Sequence, residues 1–421
     1  MKKSVIVFLC LVILMTCFVG THSSVTAKTV EDVSDIEMMK EGDLNGDGAV
    51  NIKDIMIMRR AILRGEPPIN MDLNGDGQVT VADLIFLRNI ILGISNEVDI
   101  VEINGRNFLD DRFRYDVREF DLNENGWLSD IEIKKVAKIE VIGSKGNITI
   151  AVYPPPAYRQ LIRSLEGVEY FTSLKILNCS SNLLTELDVS RNIELTELIC
   201  DNNDLSSLNL SNNINLSVLD CSQNLFNRID VSKNVNLTAL FCRYNSLTEL
   251  DVSANTLLTS LNCSFNPLGA LDVSHNLALK GLNCSSNQLK VLDVSQNTAL
   301  TGLTCNDNQL SVLDISNNIM LVGLECIGNS LTTLDVTAHL SLQRLLCGDN
   351  ELTMLNLKSN IKLVRISCYK NRLEELDLSQ NIILLQLRCE DNLLTELDLT
   401  HNVELVIAIC DDNVNTIGWQ E

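Results

Sequence analysis

A twelve-residue pattern of oxygen-bearing side chains occurs twice near the start of this 421-residue chain, the second copy 29 residues after the first. Each copy has an oxygen donor at positions 1, 3, 5, 9 and 12 and a glycine at position 6. Ca²⁺ needs six to eight such ligands converging from one tight turn, with a backbone carbonyl supplied by position 7. The pattern therefore predicts two Ca²⁺ sites, with ligands from Asp43, Asn45, Asp47, Ala49, Asn51 and Asp54 and from Asp72, Asn74, Asp76, Gln78, Thr80 and Asp83.

The elements around these loops differ from an ordinary EF-hand. Each loop ends in Asp where an EF-hand has Glu, and only the helix-sized segment 55–63 separates them before Gly65-Glu66-Pro67-Pro68 stops it. This duplicated loop-plus-helix arrangement, over residues 41–95, resembles the dockerin modules of cellulosomal proteins. The resemblance implies a small all-α, calcium-binding module that binds a cohesin of a scaffoldin. The alternative is a Ca²⁺ clip that only stabilises a small domain.

The resemblance also implies where a cohesin would bind, because that family uses residues just before position 12 and in the following helix. Ile52-Lys53 and Val81-Ala82 stand where the family often has Ser-Thr, so the type of cohesin is left open. The implied contacts are Ile52, Lys53, Arg59, Arg60, Arg64, Val81, Ala82, Arg88 and Asn89.

The chain begins with features of an exported protein. Residues 1–27 contain Lys2 and Lys3, an apolar run and a small-residue cleavage site, which predicts a secretory signal, followed by a linker over 28–40. A lipid anchor at Cys17 is the alternative. No later apolar segment is long enough to span a membrane. The net charge of −22 disfavours nucleic acid or an anionic membrane as partner, and an aromatic content of 4% disfavours a carbohydrate cleft.

Twelve of the fourteen cysteines recur every 21 residues from Cys179 to Cys410, in step with columns of leucine and asparagine. Such a period indicates stacked turns that share one core, which predicts a β-rich leucine-rich repeat solenoid over residues 173–413. One asparagine column, from Asn182 to Asn413, is expected to satisfy backbone groups at each bend. A second, from Asn192, is broken by His339, which we interpret as a tolerated substitution rather than a ligand.

The cysteine column has two readings. Export favours disulfides, but turns stacked in parallel about 4.8 Å apart hold their Cβ atoms slightly too far apart for relaxed bridges. We predict buried free thiols, with partial bridging as the alternative. The repeated Asp column is likewise expected to be a fold feature, since an acid/base pair would not need nine copies. This register resembles the cysteine-ladder, internalin-like repeats of bacterial surface proteins, which implies binding and not catalysis.

A third loop lies between the two modules and ends in the Glu typical of EF-hands. Helix-like segments flank it at 108–120 and 129–137, so residues 96–172 are predicted to be an EF-hand-like cap over the first leucine layer. A metal-free capping hairpin is the alternative to a third Ca²⁺ site. At the far end, residues 414–421 are predicted to form a lid through Ile417 and Trp419. The predicted ligands of the third site are Asp121, Asn123, Asn125, Trp127, Ser129 and Glu132.

The concave face of the repeats should expose residues that flank each inward leucine and cysteine. Two groups depart from the small polar background, and aromatic and Arg residues are common interface anchors. The Arg-rich group suggests an anionic partner, the alternative being ion pairing with Glu325 and Glu390. The predicted contacts are Phe241, Arg243, Tyr244 and Phe265 in the middle, and Arg344, Leu346, Arg365, Tyr369, Lys370 and Arg388 toward the C-terminal end.

These observations predict a secreted, non-catalytic, calcium-dependent protein associated with a cellulosome or cell surface. Its dockerin would bind a cohesin while its repeats bind a protein or a surface glycan. The alternatives are a polysaccharide-degrading enzyme, since dockerins are commonly carried by glycoside hydrolases, and a docked protease inhibitor. No catalytic residues are assigned, because no Ser-His-Asp order, zinc-site spacing or isolated Glu pair occurs.

Overall fold

A computed structural model of the protein describes residues 43–47, 49–64, 71, 73, 78–91, 101–143 and 161–419. The chain divides into two compact units, residues 1–97 and 98–421. The predicted signal segment, the linker and Asp72, Asn74 and Asp76 lie outside the described residues. No helix in the described ranges is long and apolar enough to cross a membrane.

The first unit contains two helices, α1 (Ile52–Arg64) and α2 (Val81–Ile91). Each begins inside its loop, so that Asp54 and Asp83 lie in the first helical turn, where a carboxylate is favoured by the helix dipole. This explains why α1 starts at Ile52, before the helical segment 55–63 that the sequence predicted. Met58 and Leu87 are fully buried and, with Met71, form a small core between the helices.

The second unit begins with the predicted cap. Strand β1 (Val101–Glu102) pairs antiparallel with β2 (Trp127–Leu128). Helix α3 (Asp111–Val117) continues as a 3₁₀ turn over Arg118–Phe120, and α4 (Asp130–Lys135) follows the loop. Both helices lie within their predicted segments. Their first turns are capped by the side chains of Asp110 and Ser129, which accept hydrogen bonds from backbone N–H groups.

The repeats form a parallel solenoid whose turns each contribute one short strand to a 13-stranded sheet. Neighbouring strands pair in register at the 21-residue spacing, for example Leu303 with Leu324. A separate pair, β15 (Glu396–Asp398) and β17 (Asn415–Ile417), lies at the C-terminal end. The sheet strands of the repeats are β4 (Ile176–Asn178), β5 (Glu197–Ile199), β6 (Val218–Asp220), β7 (Ala239–Phe241), β8 (Ser260–Asn262), β9 (Gly281–Asn283), β10 (Gly302–Thr304), β11 (Gly323–Glu325), β12 (Arg344–Leu346), β13 (Arg365–Ser367), β14 (Gln386–Arg388) and β16 (Ile407–Ile409).

The first strand of this sheet, β3 (Lys138–Glu140), comes from the cap and not from a repeat. It pairs in parallel with β4, placing Ile139 beside Leu177. The sequence did not reveal this strand, because it has no cysteine and no partner at the 21-residue spacing. The cap thus extends the sheet as well as covering the first leucine layer.

The core of the second unit is continuous from the cap to the last turns. Leu177, Leu198 and Leu219 represent a column of fully buried leucines, and Phe108, Phe113 and Phe171 of the cap join the same cluster. One turn alone cannot bury its leucines. Stacking the turns removes the leucines from water, which stabilises the fold by roughly 1.5–3 kcal/mol for each side chain. Trp419 is partly buried against this core.

The asparagine columns supply hydrogen bonds inside the bends. Asn203 donates through Nδ2 to the carbonyls of Cys179 and Cys200, at 3.0 and 3.1 Å, and its Oδ1 accepts from the Leu184 N–H at 3.0 Å. Equivalent bonds recur from Asn182 to Asn392. The expected last member, Asn413, is exposed instead, because the bend at the end of the repeats has no following turn in the described chain to bury it.

The twelve repeat cysteines are free thiols, buried at every position except the half-buried Cys410. Burial raises the pKa of these thiols, to about 12 for Cys263 and Cys305. Several also donate weakly to the carbonyl of the next strand, as Cys179 does to Ile199 at 3.6 Å. The cysteines therefore act as small apolar core residues, as the sequence predicted.

Candidate calcium loops and repeat surfaces

The first loop is organised around the carboxylate of Asp54, which is fully buried. Its Oδ1 accepts from the backbone N–H groups of Leu44 and Asn45, at 2.9 and 3.2 Å, and its Oδ2 accepts from that of Asn51 at 2.8 Å. At the start of the loop, Asp43 Oδ1 accepts from the Gly46 N–H at 2.9 Å. These bonds fold the loop back onto the first turn of α1.

The side chains at positions 3, 5 and 9 complete this turn. Asn45 accepts from the Asp47 N–H, and Asp47 accepts from the Ala49 N–H at 3.0 Å. Lys53 forms an ion pair with Asp47 at 3.2 Å, and the Ala49 and Lys53 bonds lower the pKa of that carboxyl. Asn51 donates to the carbonyl of Ala49 at 3.0 Å. All six predicted ligands of this loop therefore lie in one turn.

The described part of the second loop repeats this geometry. Asp83 is fully buried, and it accepts from the Leu73 and Thr80 N–H groups at 2.9 and 2.8 Å, as Asp54 does in the first loop. Thr80 accepts from the Ala82 N–H at 3.1 Å. Gln78 is exposed.

The donor set of the first loop fits Ca²⁺. Asp43 is 7% exposed and Asp54 is fully buried, and the hydrogen-bond partners of Asp54 are uncharged N–H groups. A buried carboxylate is normally paired with a cation or bound to a metal, and a hard divalent cation prefers oxygen ligands of this kind. Ca²⁺ would be held by the predicted ligands between Asp43 and Asp54. There it would offset the negative charge of the two buried carboxylates. Within the described ranges, no three His, Cys, Asp or Glu side chains form a metal group by themselves.

The loop in the cap is built in the same way around Glu132, which is 6% exposed. Its Oε1 accepts from the Leu122 N–H at 2.9 Å, and its Oε2 from the Ser129 N–H and hydroxyl at 2.8 and 2.7 Å. Asp121 accepts from the Gly126 N–H at 2.7 Å. Two buried carboxylates again share one turn, so this loop also fits a divalent cation.

The remaining predicted ligands of the cap loop shape its turn. Asn123 accepts from the Asn125 N–H at 3.1 Å, and Asn125 accepts from the Trp127 N–H at 2.8 Å. Trp127, at the position that offers a carbonyl, keeps its side chain 42% exposed. Ser129 caps α4 in a reciprocal arrangement with Glu132.

The predicted cohesin contacts lie mostly on exposed surface. Ile52 is 69% and Val81 59% exposed, whereas Ala82 is half-buried. Sequence reasoning missed Met56 and Leu63, which are 50% and 76% exposed and continue the apolar row of Ile52 along α1. Their helical spacing was the available signal. The charged residues Lys53, Arg59, Arg60, Arg64 and Arg88 are exposed, and only the backbone of Asn89 is described.

The middle group of the repeats is brought together as predicted. Tyr244 and Phe265 occupy equivalent positions one turn apart, and their rings stack with centroids 4.1 Å apart. The Arg243 guanidinium lies 5.9 Å from the Tyr244 ring, and Phe241 is half-buried on the adjacent strand. Tyr244 and Phe265 both have positive φ, 52° and 56°, a backbone region that disfavours bulky residues.

The second group is also contiguous, but two of its arginines are already paired. Arg344 forms an ion pair with Glu325 at 2.8 Å, and Arg388 forms one with Glu390. Both acids were the sequence-based alternative to an anionic partner. Arg365 is exposed.

Leu346 was predicted as an exposed contact and is only 5% exposed. This prediction was wrong for a physical reason: an apolar side chain among charged neighbours is stabilised when they cover it. Tyr369 is half-buried and Lys370 exposed.

The Asp column has a structural role in each half-turn. Asp251 accepts from both the N–H and the hydroxyl of Ser253, at 2.9 and 2.7 Å, and these bonds lower the pKa of the carboxyl. Asp335 and Asp398 do the same with Thr337 and Thr400. The column fixes this turn in the repeats that carry the Asp, which is the fold role predicted for it.

Comparison with known proteins agrees with this architecture. The dockerin type I domain family matches residues 41–92. The functional domain of InlJ from Listeria monocytogenes, which includes a cysteine ladder, is 32% identical over 75% of this chain, with a TM-score of 0.60. This chain spans 62% of the length of that structure.

A second solved structure supports the fold alone. The internalin InlF from Listeria monocytogenes is 20% identical, with a TM-score of 0.64 over 76% of this chain and 98% of that one. No curated protein sequence matches. Dockerins and internalin-like repeats are non-catalytic kinds of domain. The chain thus carries a dockerin type I domain at residues 41–92, followed by an internalin-like leucine-rich repeat solenoid with a cysteine ladder.

Proposed function

We propose that this protein is a secreted, non-catalytic bridging protein with two binding sites. Its dockerin binds a cohesin in a Ca²⁺-dependent manner, which would attach it to a cellulosome or another cohesin-bearing surface, and its repeats bind a second protein. The observation that carries the proposal is the dockerin match over residues 41–92 next to a solenoid similar to InlJ. Dockerins in general have cohesins as partners, and solenoids offer extended binding surfaces.

The cohesin site is the exposed face of α1, supplemented by α2. Ile52, Met56 and Leu63 form an exposed apolar row, and Arg59 and Arg60 are exposed on the same helix. Apolar anchors next to arginines are typical of protein interfaces. The row is available for binding because the core of the unit uses other residues, such as Met58.

Calcium would control this site through the start of each helix. Asp54 and Asp83 lie in the first turns of α1 and α2 and hold their loops by hydrogen bonds. Ca²⁺ bound to these carboxylates would offset their buried charge and fix the loop on the helix. Removing the ion should therefore disorder the binding face without touching the repeats.

The test is calorimetric titration of the protein lacking residues 1–27 against a panel of cohesins, in Ca²⁺ and in EDTA. We expect one cohesin to bind tightly in Ca²⁺ and not in EDTA. Changing Ile52→Glu together with Met56→Glu should weaken binding at least tenfold. The matched control is Ile214→Glu, an apolar residue 54% exposed on the repeats, which should bind as the parent does. Failure of every cohesin to bind in Ca²⁺ would leave the loops as a structural clip and refute the docking proposal.

A further inference from the structure

Three arginines, Arg344, Arg365 and Arg388, lie on the consecutive strands β12, β13 and β14, and we call them the arginine patch. Glu325 and Glu390 are its acidic neighbours, so the patch has one uncompensated positive charge on a chain of net charge −22. Charges more than about 8 Å away are largely screened at physiological salt. The charges nearest to the patch therefore count more than the net charge of the chain, and two of its three arginines are paired with Glu325 and Glu390.

The outer arginines of the patch are held in place. Glu325 fixes Arg344 at 2.8 Å, and Glu390 Oε1 accepts from both Nε and Nη2 of Arg388. The Arg388 guanidinium also lies over the Tyr369 ring, 4.7 Å from its centroid. Pairs of this kind restrict the rotamers of long side chains, so less entropy is lost when a ligand binds.

The Tyr369 ring is itself seated against a glycine. A Cβ on the buried Gly348 would lie 2.4 Å from a ring carbon of Tyr369, which is closer than atoms can approach. Gly348 therefore permits the position of the ring, and the ring supports Arg388. The ring thus packs against Gly348 and has the Arg388 guanidinium over one face.

Arg365 stands between the fixed arginines. It pairs with Arg344 on one side and with Gln386 on the other in the sheet register, and in the described ranges it has no ion-pair partner. Like charges directly opposite each other on neighbouring strands are destabilising. An anionic group at Arg365 would relieve that repulsion.

We propose that the arginine patch binds a carboxylate from an acidic segment of the partner protein, with Arg365 as the central contact. The planar guanidinium matches a carboxylate in a two-pronged geometry. A protein is favoured over a glycan because Arg388 occupies one face of the Tyr369 ring, where a sugar ring would stack. In addition, the apolar residues Val322 and Leu385 are partly exposed beside the patch, Val322 bonded to the Arg344 N–H and Leu385 just before β14. This inference rests on the proposed function, in which the repeats bind a protein.

The test measures binding of fluorescein-labelled hexaglutamate to the Ca²⁺-loaded protein by fluorescence anisotropy, beside tetragalacturonate as a carboxylate-bearing glycan. We expect hexaglutamate to bind, to bind less tightly in 0.5 M salt, and to lose at least tenfold in affinity with Arg365→Gln. The matched control is Arg372→Gln, which removes an exposed arginine paired with Glu351 outside the patch and should change affinity less than twofold.

A second variant tests whether Gly348 and Tyr369 support Arg388, without changing the charge of the patch. Gly348→Ala should displace Tyr369 and weaken hexaglutamate binding several-fold, whereas Gly281→Ala, where a Cβ meets open space, should not. Equal binding by the parent and Arg365→Gln, or no binding by the parent, would overturn the inference. Tighter binding of tetragalacturonate than of hexaglutamate would overturn the proposal that the carboxylate comes from a protein. Cohesin titration of the same samples separates this outcome from failure of the docking proposal, since Arg365→Gln should leave cohesin affinity unchanged.

Discussion

At the scale of single residues, His339 shows what the second asparagine column does. Elsewhere in that column each amide donates twice, as Asn213 does to Val189 and Asn192 at 2.9 Å. The His339 side chain makes one hydrogen bond, from Nε2 to the Ile315 carbonyl at 3.2 Å. It is 1% exposed, so it replaces the amide inside the core and does not act as a surface ligand.

Changing His339→Asn should stabilise the solenoid, because the new amide can donate to Ile315 and also to Asn318. A net hydrogen bond contributes about 1 kcal/mol, so we expect the urea midpoint to rise accordingly. The control is Asn318→His, which should lower the midpoint by a similar amount. A lower midpoint for His339→Asn would show that the core has adapted to the imidazole.

At the scale of elements, one side chain connects helix α4 to the predicted Ca²⁺ site of the cap loop. Glu132 closes the capping box of α4 and accepts from the loop N–H of Leu122. Trp127 lies at position 7 of the same loop and is partly exposed. Its fluorescence should therefore report on the loop.

We predict that Ca²⁺ changes the Trp127 emission of a Trp419→Phe background, because the ion would draw in the Trp127 carbonyl. Glu132→Gln should weaken the apparent Ca²⁺ affinity at least tenfold by removing a buried charge. Asp54→Asn, in the dockerin loop, should leave this signal unchanged. No Ca²⁺ response in the Trp419→Phe background would show that the cap is a metal-free hairpin. A response unchanged by Glu132→Gln would show that the signal does not come from this loop.

The Asp column predicts acid sensitivity of the repeats. Hydrogen bonds from Ser253 and Thr400 lower the pKa of Asp251 and Asp398 below the usual value of 3.8. Because the folded pKa is depressed, this stabilisation is fully present above about pH 4 and is lost as pH falls below it. The urea concentration at the unfolding midpoint should therefore decrease as the pH is lowered below about 4.

Ser253→Ala with Thr400→Ala should reduce that fall in midpoint, since each variant brings the folded pKa closer to the unfolded one. Ser260→Ala, which changes a hydroxyl on the strand face and not at an Asp turn, serves as the control. An unchanged pH slope in the double variant would assign the acid sensitivity to other carboxylates.

At the scale of the whole molecule, the second unit has one continuous core in which every turn depends on its neighbours. The cysteine column lies inside this core, and burial raises its pKa values. Reactivity of a thiol follows its exposure and thiolate fraction. The column should therefore be chemically inert as long as the turns stay stacked.

We predict that a thiol reagent added to the protein lacking residues 1–27 modifies at most the half-buried Cys410 under native conditions. In strong denaturant all twelve repeat cysteines should react. Rapid native labelling of several cysteines would mean that turns open locally. Fewer than twelve reactive thiols after unfolding without reductant would mean that some are bridged.

The oxygen-rich loops, the stacked turns and the inward cysteine column could be predicted from residue types and their spacing alone. A 21-residue period allows only one register for leucine, cysteine and asparagine, and Ca²⁺ ligand spacing is local to a single turn. These features depend on residues close in sequence or at a fixed repeat, so they could be inferred without coordinates.

Which side chains remain available for binding depends on contacts between turns, and these are seen only in the folded chain. The sequence could not place β3 at the end of the sheet, choose between Glu325 and an external partner for Arg344, bury Leu346 or seat Tyr369 on Gly348. Such contacts depend on side-chain conformations between different turns. Arg365 is the central candidate because Arg344 and Arg388 already pair with Glu325 and Glu390. Its position in the repeat alone would not have distinguished it from them.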